Sequence, residues 1–279
     1  MTNIWQIIPC NINEIAFSLG FFQVRWYSLS YVFVILTIFF LLHWRIKKNE
    51  FPIQDISRKK ISQDLLDIGI FTFIGIILGA RIGYAIFYEP SLLFPNISQL
   101  FNPFENGQLI GIFGLSFHGG LIGAVLAGFA TVKFKKYSFL PFLNFVIPAF
   151  PLGYFWGRMG NFFNKELFGR ITESSIGMNF SENCQTKILN HPSQLYEALG
   201  EGLLIFFIIW PIRNHSFFKK YLFAIFLILY GIIRFIIEFF RQPEITLGWL
   251  TMGQILCFAM IVIGVILIVV TNRRSSAKK

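Results

Sequence analysis

The sequence predicts an all-α, polytopic integral membrane protein, and three observations lead to this class. Of its 279 residues, 55% are hydrophobic and only 14% are charged, whereas a soluble domain carries about a quarter charged residues. The mean hydropathy is +0.62. Several apolar stretches approach the length of about 20 residues that a bilayer crossing requires. This composition excludes a disordered, collagen-like, coiled-coil or disulfide-stapled protein.

About seven transmembrane helices are predicted, with ends that carry an error of several residues. The third and fourth are short and rich in Gly and Pro, so neighbouring helices must cover them. Because no repeat, linker or second domain is visible, residues 1–279 are expected to form a single integral-membrane domain. The predicted spans are 26–44, 67–88, 117–132, 140–157, 194–212, 221–240 and 248–271.

The basic residues predict the orientation of these spans. With the N-terminus outside and the C-terminus in the cytoplasm, sixteen of the 24 Lys and Arg residues fall on the cytoplasmic side. Six fall on the outer side, and Arg81 and Arg234 fall within spans. Extracytoplasmic segments are then expected at about 89–116 and 158–193. Such asymmetry is typical of membrane proteins, and it explains the net charge of +10 without a nucleic-acid partner.

Polar groups gather at the outer ends of the predicted spans. In the sixth span, Tyr230, Arg234, Glu238 and Arg241 follow one helical stripe at i, i+4, i+8 and i+11. Ionisable groups in a bilayer are costly, so those that persist are paired, line a wet cavity or serve function. Two interpretations stay open: a structural Arg234–Glu238 ion pair, or an arginine cluster that binds an anion. A phospholipid phosphate is the natural anion, because Arg forks match its oxygens and acidic partners are few.

Two further arginines and a histidine are predicted near the same depth. Arg81 lies in the outer half of the second span, Arg158 closes the fourth, and His118 opens the third. The glycines beside them, Gly119 and Gly160 among them, either permit close helix packing or bring backbone N–H groups to a headgroup.

The cysteines predict neither a metal site nor a disulfide framework. There are three, and no His/Cys cluster has ligand spacing. Cys10 and Cys184 both map to the outer side, which leaves a bridge between them open. Cys257 is expected in apolar packing.

These residues resemble one family, the bacterial prolipoprotein diacylglyceryl transferases. The strongest match runs from Gly157 to Gly169 and resembles the family signature G-R-x-G-N-F-x-N-x-E-x-x-G. The resemblance covers about residues 9–256. Further matches follow in the expected order at Arg25-Trp26-Tyr27, Ser116 to Leu121, His191 to Glu197, Tyr230 to Arg241 and Thr251 to Gln254.

The chain departs from the family pattern in four places. Residues 111–115 stand where the family usually has a Trp and a Gly-Gly-Met. Asn144 occupies what is often an Asp, Tyr154 replaces a more typical residue, and Lys165 replaces the usual Gly before Glu166. These departures leave the loop shape near His118 and near Asn164 open.

The resemblance implies an enzyme of lipoprotein maturation. It would transfer the diacylglyceryl group of phosphatidylglycerol to the lipobox cysteine of a preprolipoprotein signal peptide, forming a thioether and releasing glycerol phosphate. The expected location is the bacterial cytoplasmic (inner) membrane, with the active site on the extracytoplasmic side. Its partners are these two substrates and membrane lipids; no cofactor, metal or nucleic acid is expected.

The resemblance also implies roles for individual residues. His118 corresponds to the essential histidine and is the candidate general base, or it positions the headgroup. Arg158 and Arg234 would hold the phosphate as catalytic residues, while Glu238 would orient Arg234 or Arg241. The expected substrate-binding residues are Tyr27, Arg81, Asn161, Glu166, Gly169, Glu238 and Arg241.

Two other classes of function are weighed against this one. A transporter or lipid scramblase should carry polar groups through both leaflets, often on broken helices in paired halves. Here the inner halves carry few, chiefly Asp67 and Asn144. A non-catalytic lipid-binding scaffold would leave His118 dispensable.

Overall fold

The structure is a computed structural model in which the chain forms two compact units. The first unit comprises Met1–Glu50 and Leu143–Lys279, and the second comprises Phe51–Phe142. The residues that the structure describes are 3–20, 22–53, 56–93, 100–102, 104–105, 108–109, 114–243 and 245–276. Much of the predicted outer segment 89–116, including 111–113, therefore lies outside the described residues.

Helices dominate the described residues. The helices are α1 (Ile4–Asn11), α2 (Trp26–Lys47), α3 (Arg58–Phe87), α4 (Phe117–Phe134), α5 (Phe139–Val146), α6 (Phe150–Phe163), α7 (Ser193–Glu197), α8 (Ile205–Ile212), α9 (Leu222–Ile237) and α10 (Met252–Ser276). A π-helical segment, Ala198–Leu204, joins α7 to α8. The strands form three antiparallel hairpins, which pair β1 (Ile15–Leu19) with β2 (Phe22–Arg25), β3 (Phe104–Glu105) with β4 (Gln108–Leu109), and β5 (Thr246–Leu247) with β6 (Leu250–Thr251).

Five helical segments of the described chain are long and apolar enough to cross a bilayer. They are Trp26–Lys47, Arg58–Phe87, Phe139–Phe163, Ser193–Ile212 and Met252–Arg274, and two shorter apolar helices cover His118–Phe134 and Leu222–Ile237. Many large apolar side chains along them, such as Phe40 and Leu126, are exposed, as expected where hydrocarbon is the solvent. The prediction of a mostly helical, multi-pass membrane protein is confirmed.

In the first unit, α6 packs along α2 and α10 packs along α9. A 3₁₀ turn that contains Pro148 joins α5 to α6, and Pro151 follows in the first turn of α6. The α-helix is interrupted here because proline has no backbone N–H to donate to the preceding turn. Gly160 lets α6 approach α2, because a methyl group there would lie 2.8 Å from the Ser30 side chain. This contact supports the packing interpretation for Gly160.

Asn144 shows what its departure from Asp does in this chain. Its Oδ1 accepts a hydrogen bond from the backbone N–H of Phe223 at 2.8 Å, and its Nδ2 donates to the carbonyl of Lys220 at 3.0 Å. An ionised Asp could make only the first of these bonds. Asn144 therefore fastens the start of α9 with both ends of its amide.

In the second unit, α3 packs closely on α4 through small residues. A methyl group at Gly119 would lie 2.9 Å from the Cα of Gly83. The N–H of Gly119 donates to the Oγ of Ser116 at 3.3 Å, and the N–H of Gly120 donates to the Ser116 carbonyl at 2.9 Å. Because these two N–H groups are used in capping the helix, the packing interpretation applies to Gly119.

The start of α3 differs from the prediction. The helix begins at Arg58, capped by Ser57, and not near residue 67. Asp64, which is buried, accepts a hydrogen bond from Tyr137 at 2.5 Å and an ion pair from Lys135 at 2.9 Å. Hydrogen bonds to Asp67 and Asp64 in turn raise the pKa of Lys135. A hydropathy window detects only the apolar stretch and not such distant compensation, so it did not show that the helix begins nine residues before position 67.

A second buried ion cluster joins the C-terminal ends of α2 and α8. Arg45 donates to Glu50 at 2.7 Å, and Arg213 approaches the same carboxylate at 3.3 Å. Burial favours a raised pKa for Glu50, but hydrogen bonds from Asn214 and Arg45 and the two guanidiniums hold its pKa below the usual 4.5. Arg45, one residue beyond the predicted first span, is therefore buried as part of an ion pair.

Cys10 and Cys184 form a disulfide with their Cα atoms 5.3 Å apart. The bond joins α1 to the long segment between α6 and α7, across 174 residues of sequence. Cys257 is a free, buried cysteine.

Candidate functional site

The first unit contains a buried cluster in which three arginines converge on one carboxylate. Glu197 accepts an ion pair from Arg158 Nε at 2.7 Å and from Arg234 Nη1 at 3.1 Å, and its second oxygen pairs with Arg241. Three different segments, α6, α7 and the end of α9, deliver these groups. Glu197 has an exposed fraction of 0%, whereas the arginine side chains keep 15–17%. The carboxylate is therefore fully buried, whereas each of the three arginine side chains keeps a small exposed fraction.

Two further carboxylates complete the cluster. Glu201 lies 3.4 Å from Arg234, while Glu238 lies 3.5 Å from both Arg234 and Arg241. With Glu197, these three carboxylates balance the three guanidiniums. The acidic partners, which are few in the sequence, are thus enough for these arginines, and charge balance alone does not require an external anion. The structure contains features of both interpretations of the polar stripe from Tyr230 to Arg241. Arg234 pairs with Glu238, and Arg234 and Arg241 also belong to a cluster of three arginines.

The signature between Gly157 and Gly169 builds a hydrogen-bonded relay from Arg158. Nη1 of Arg158 donates to Asn161 Oδ1 at 3.1 Å, and Asn161 Nδ2 donates to Glu166 Oε1 at 2.6 Å. The other oxygen of Glu166 accepts from Asn164 at 2.9 Å. Gln194, on α7, donates to the Glu166 carbonyl at 2.7 Å. Asn161 and Glu166 thus hold Arg158 through a nitrogen other than the one that pairs with Glu197.

Lys165 occupies a backbone conformation that favours glycine. Its φ is +54°, in the left-handed region, where a Cβ costs about 1 kcal/mol. The turn is still held, because the N–H of Lys165 donates to the Phe162 carbonyl and that of Glu166 donates to the Asn161 carbonyl. The loop therefore keeps a glycine-type shape despite the departure at this position.

The motif from Thr251 to Gln254 positions Glu238. Thr251 and Gln254 exchange hydrogen bonds between side chain and backbone at 3.1 and 3.0 Å, a capping box that starts α10. The Thr251 hydroxyl also donates to Glu238 Oε1 at 3.1 Å. A methyl group at Gly253 would lie 2.5 Å from the same carboxylate, so glycine provides the space that Glu238 fills.

Gly169 serves the backbone around the cluster. Its N–H donates to the His191 carbonyl at 2.8 Å, and its carbonyl accepts from Asn190. It also forms an isolated bridge with Arg241. These contacts fasten the segment before α7 to the end of α9, so Gly169 shapes the site through its backbone. Burial lowers the pKa of His191 below its usual range.

Tyr27 lies in the first turn of α2, on the side that faces α6. Its hydroxyl pairs with that of Tyr31 at 3.3 Å. A methyl group at Gly160 would lie 3.8 Å from the Tyr27 ring, and the phenol is near enough to Glu166 and Arg158 to interact electrostatically.

Arg81 and His118 belong to the second unit. Arg81 is buried, donates from Nη1 to the Gly114 carbonyl at 3.0 Å and from Nε to the Leu100 carbonyl, and lies over the Tyr84 ring. These contacts fasten Leu100 and Gly114, which lie between α3 and α4, to α3. His118 is exposed in the first turn of α4.

Sequence reasoning omitted Glu197 and Glu201 from the predicted site. The available signal was two acids spaced i, i+4 at the start of an apolar span, where unpaired carboxylates would be too costly. Arg234 lies 33 residues from Glu201 in the sequence, and Arg241 lies 44 residues from Glu197. Patterns within a single helix therefore could not pair these groups. No group of three or more His, Cys, Asp or Glu side chains suited to a metal ion occurs in the described part of the chain.

Taken together, the fold and cluster define a multi-pass helical membrane protein in which the signature around Arg158, the motif around Glu197 and the stripe from Tyr230 to Arg241 meet in one buried arginine–glutamate network. Residues 14–270 match the family described as prolipoprotein diacylglyceryl transferase. The chain belongs to this family, as the motifs predict.

Curated relatives extend over nearly the whole chain, and three of them share the name phosphatidylglycerol--prolipoprotein diacylglyceryl transferase. A protein from Chlorobaculum tepidum is 40% identical, covering 98% of this chain and 95% of its own length. A protein from Rickettsia bellii is 40% identical over 96% of this chain and 98% of its own. A protein from Campylobacter hominis is 38% identical over 93% and 91%.

Proposed function

We propose that this enzyme transfers the diacylglyceryl group of phosphatidylglycerol to the lipobox cysteine thiol of preprolipoproteins. The main support for this proposal is the similarity, over nearly the whole chain, to relatives that bear the name of this activity. In addition, Arg158 and Arg234 converge on one buried carboxylate. The new bond joins the cysteine sulfur to a glyceryl carbon. The bond that breaks joins this carbon to a phosphate oxygen, so glycerol phosphate leaves with the electron pair and the thiol proton is released.

The convergence of Arg158 and Arg234 on one buried carboxylate, with part of each arginine side chain still exposed, supports a phosphate-binding role for both. As the C–O bond breaks, a phosphodiester monoanion becomes a monoester that approaches a dianion. A cation held at this phosphate binds the transition state more tightly than the ground state. We assign Nη2 of Arg158 to the phosphate, because the hydrogen bonds of Arg158 to the described residues use Nε and Nη1. Arg241, Asn161, Glu166, Glu238, Gly169 and Tyr27 then shape the headgroup site, with Arg81 as a further substrate-binding residue.

His118 is proposed to take the thiol proton or to position the headgroup. A free thiol has a pKa near 8.5, so a nearby base raises the fraction of nucleophilic thiolate. Replacement of His118 by Gln keeps hydrogen-bonding capacity but removes the base. Full loss of turnover with unchanged phosphatidylglycerol binding would favour the base, and loss of both would favour positioning.

We also propose seven spans with the N-terminus outside, the C-terminus in the cytoplasm and the site on the extracytoplasmic side of the bacterial cytoplasmic membrane, the whole chain acting as a single integral-membrane domain. The five long and two shorter apolar helices support this number. The Cys10–Cys184 disulfide supports the orientation, because disulfides persist in oxidising compartments outside the cytoplasm. A membrane-impermeant maleimide should label Cys184 in intact spheroplasts only after reduction. Labelling only after membrane disruption would contradict the orientation.

The function is tested with the purified chain in phosphatidylglycerol vesicles and a peptide that carries a lipobox cysteine. Mass spectrometry should detect a diacylglyceryl adduct on the cysteine, and the Cys→Ser peptide should remain unmodified. Absence of the adduct where a relative's enzyme forms it would refute the proposal. Transbilayer movement of lipid without adduct would instead favour a scramblase, and lipid binding alone would favour a scaffold.

A further inference from the structure

Tyr154 lies at the centre of the arginine–glutamate cluster, although no motif of the chain includes it. It precedes Arg158 by one helical turn on α6, and the guanidinium carbon of Arg158 lies 4.9 Å from the centre of its ring. The ring also meets Tyr230 of α9 edge to face, with centroids 5.9 Å apart. Its position is thus set by two neighbouring helices.

The Tyr154 hydroxyl links a guanidinium to a carboxylate. It accepts a hydrogen bond from Arg158 Nε at 2.7 Å and donates to Glu201 Oε2 at 2.5 Å, while Glu197 Oε2 lies 3.4 Å away. A phenol has one proton to donate and lone pairs to accept. The shorter contact to Glu201 is therefore the donated bond, and the Arg158 N–H uses a lone pair.

These contacts form a continuous path between the two arginines that we assign to the phosphate. Arg158 donates to Tyr154, Tyr154 donates to Glu201, and Glu201 accepts from Arg234 Nη1 at 3.4 Å. Glu197 provides a second path between the same guanidiniums. Both paths join Nε of Arg158 to Nη1 of Arg234, so together they restrain the separation of these two atoms more firmly than one shared carboxylate could.

We propose that Tyr154 is a positioning residue for diacylglyceryl transfer, which holds Arg158 and Arg234 in the arrangement that receives the leaving phosphate. This inference rests on the proposed function and extends it to a residue at which the chain departs from the family pattern. Tyr154 acts through the arginines and touches no reacting atom. Its hydroxyl therefore matters for the rate of the chemical step, where the position of each cation is most critical, and little for phosphatidylglycerol binding.

The test is Tyr154→Phe, which removes one oxygen and keeps the ring that packs on Arg158 and Tyr230. We expect kcat to fall about 10- to 100-fold, with the KM for phosphatidylglycerol within about twofold of the parent. Rates are divided by the folded fraction from size-exclusion chromatography, so partial unfolding cannot imitate the result. Tyr221→Phe is the matched control, because the buried Tyr221 hydroxyl also donates one hydrogen bond, to Asn272 at 3.2 Å. Tyr221 lies roughly 20 Å along α9 from Arg234, so this variant should keep the parent kcat.

Glu201→Gln tests the same path from its other end. It should lower kcat to a similar extent, and adding Tyr154→Phe to it should cause at most about a twofold further loss, because residues acting through one network are not additive. If the fold-loss in kcat of the double variant equalled the product of the two single fold-losses, the claim that Tyr154 and Glu201 act through one path would be overturned. A Tyr154→Phe enzyme with parental kcat, or one whose loss lies only in KM, would overturn the positioning role while the proposed function stands. Absence of adduct with the parent enzyme would overturn both.

Discussion

Glu197→Gln perturbs the cluster at the one carboxylate that all three arginines share. The substitution keeps the size of the side chain but removes its charge, and it replaces one accepting oxygen by a donating NH₂ group. At least one guanidinium must then face a donor. It is Arg241 if the NH₂ group takes the place of Oε1, and it is Arg158 and Arg234, which now lie at 2.7 and 3.1 Å, if the NH₂ group takes the place of Oε2. Breaking a buried ion pair by removing one partner costs about 3–5 kcal/mol. At about 2–4 °C per kcal/mol, we expect the Tm to fall by about 6–20 °C.

The assay is thermal unfolding of both proteins in the same detergent, with Glu14→Gln as control. Glu14 makes the same type of pair, with Arg25 at 3.6 Å, but its side chain keeps 37% exposure and that of Arg25 keeps 58%. Exposed pairs contribute about 0–1 kcal/mol, so Glu14→Gln should change the Tm by little. Equal Tm values for Glu197→Gln and Glu14→Gln would refute the reasoning. They would show that burial of Glu197 and its pairing with three arginines do not make it important for stability.

The remaining predictions concern one buried ion cluster and one strained turn. The pKa of Glu50 is held below 4.5, so its contribution to stability should be complete above about pH 4.5 and decline as the pH falls through the folded-state pKa. The difference in Tm between the parent and Glu50→Gln should therefore narrow from about pH 7 to about pH 3. A difference in Tm that stays constant with pH would contradict this role of Glu50. Lys165→Gly should raise the free energy of unfolding by up to about 1 kcal/mol by relieving the positive φ. Lys165→Ala, which keeps the Cβ, should give no such gain in the same thermal assay, and an equal gain would exclude backbone strain as the cause.

The sequence was most informative where burial in lipid dominates. Apolar windows located the helices, because continuous hydrophobicity is required wherever a segment crosses hydrocarbon. The prediction missed the first nine residues of α3, since Asp64 is neutralised by Lys135 and Tyr137 about 70 residues away. The π-helical segment Ala198–Leu204 was also outside its reach, because no apolar period distinguishes it from an α-helix.

For the candidate site, residue types were predicted better than their partners. The stripe from Tyr230 to Arg241 and the signature around Arg158 were visible as costly groups in an apolar chain. Their convergence on Glu197 was not visible, because it depends on the packing of α6, α7 and α9. Arg81 was likewise visible as a costly group, but its hydrogen bonds to the Leu100 and Gly114 carbonyls could not be predicted, because they depend on how the chain between α3 and α4 folds.

The central claim is that guanidinium forks, and not charge alone, receive the leaving phosphate. The most direct measurement is the single-turnover rate of diacylglyceryl transfer by Arg234→Lys, with saturating phosphatidylglycerol and lipobox peptide. Lysine keeps the charge but loses the planar fork, so we expect the rate to fall at least about 100-fold, as when a donor to a transition-state anion is removed. A rate within a few-fold of the parent, with the cluster still folded, would contradict the account.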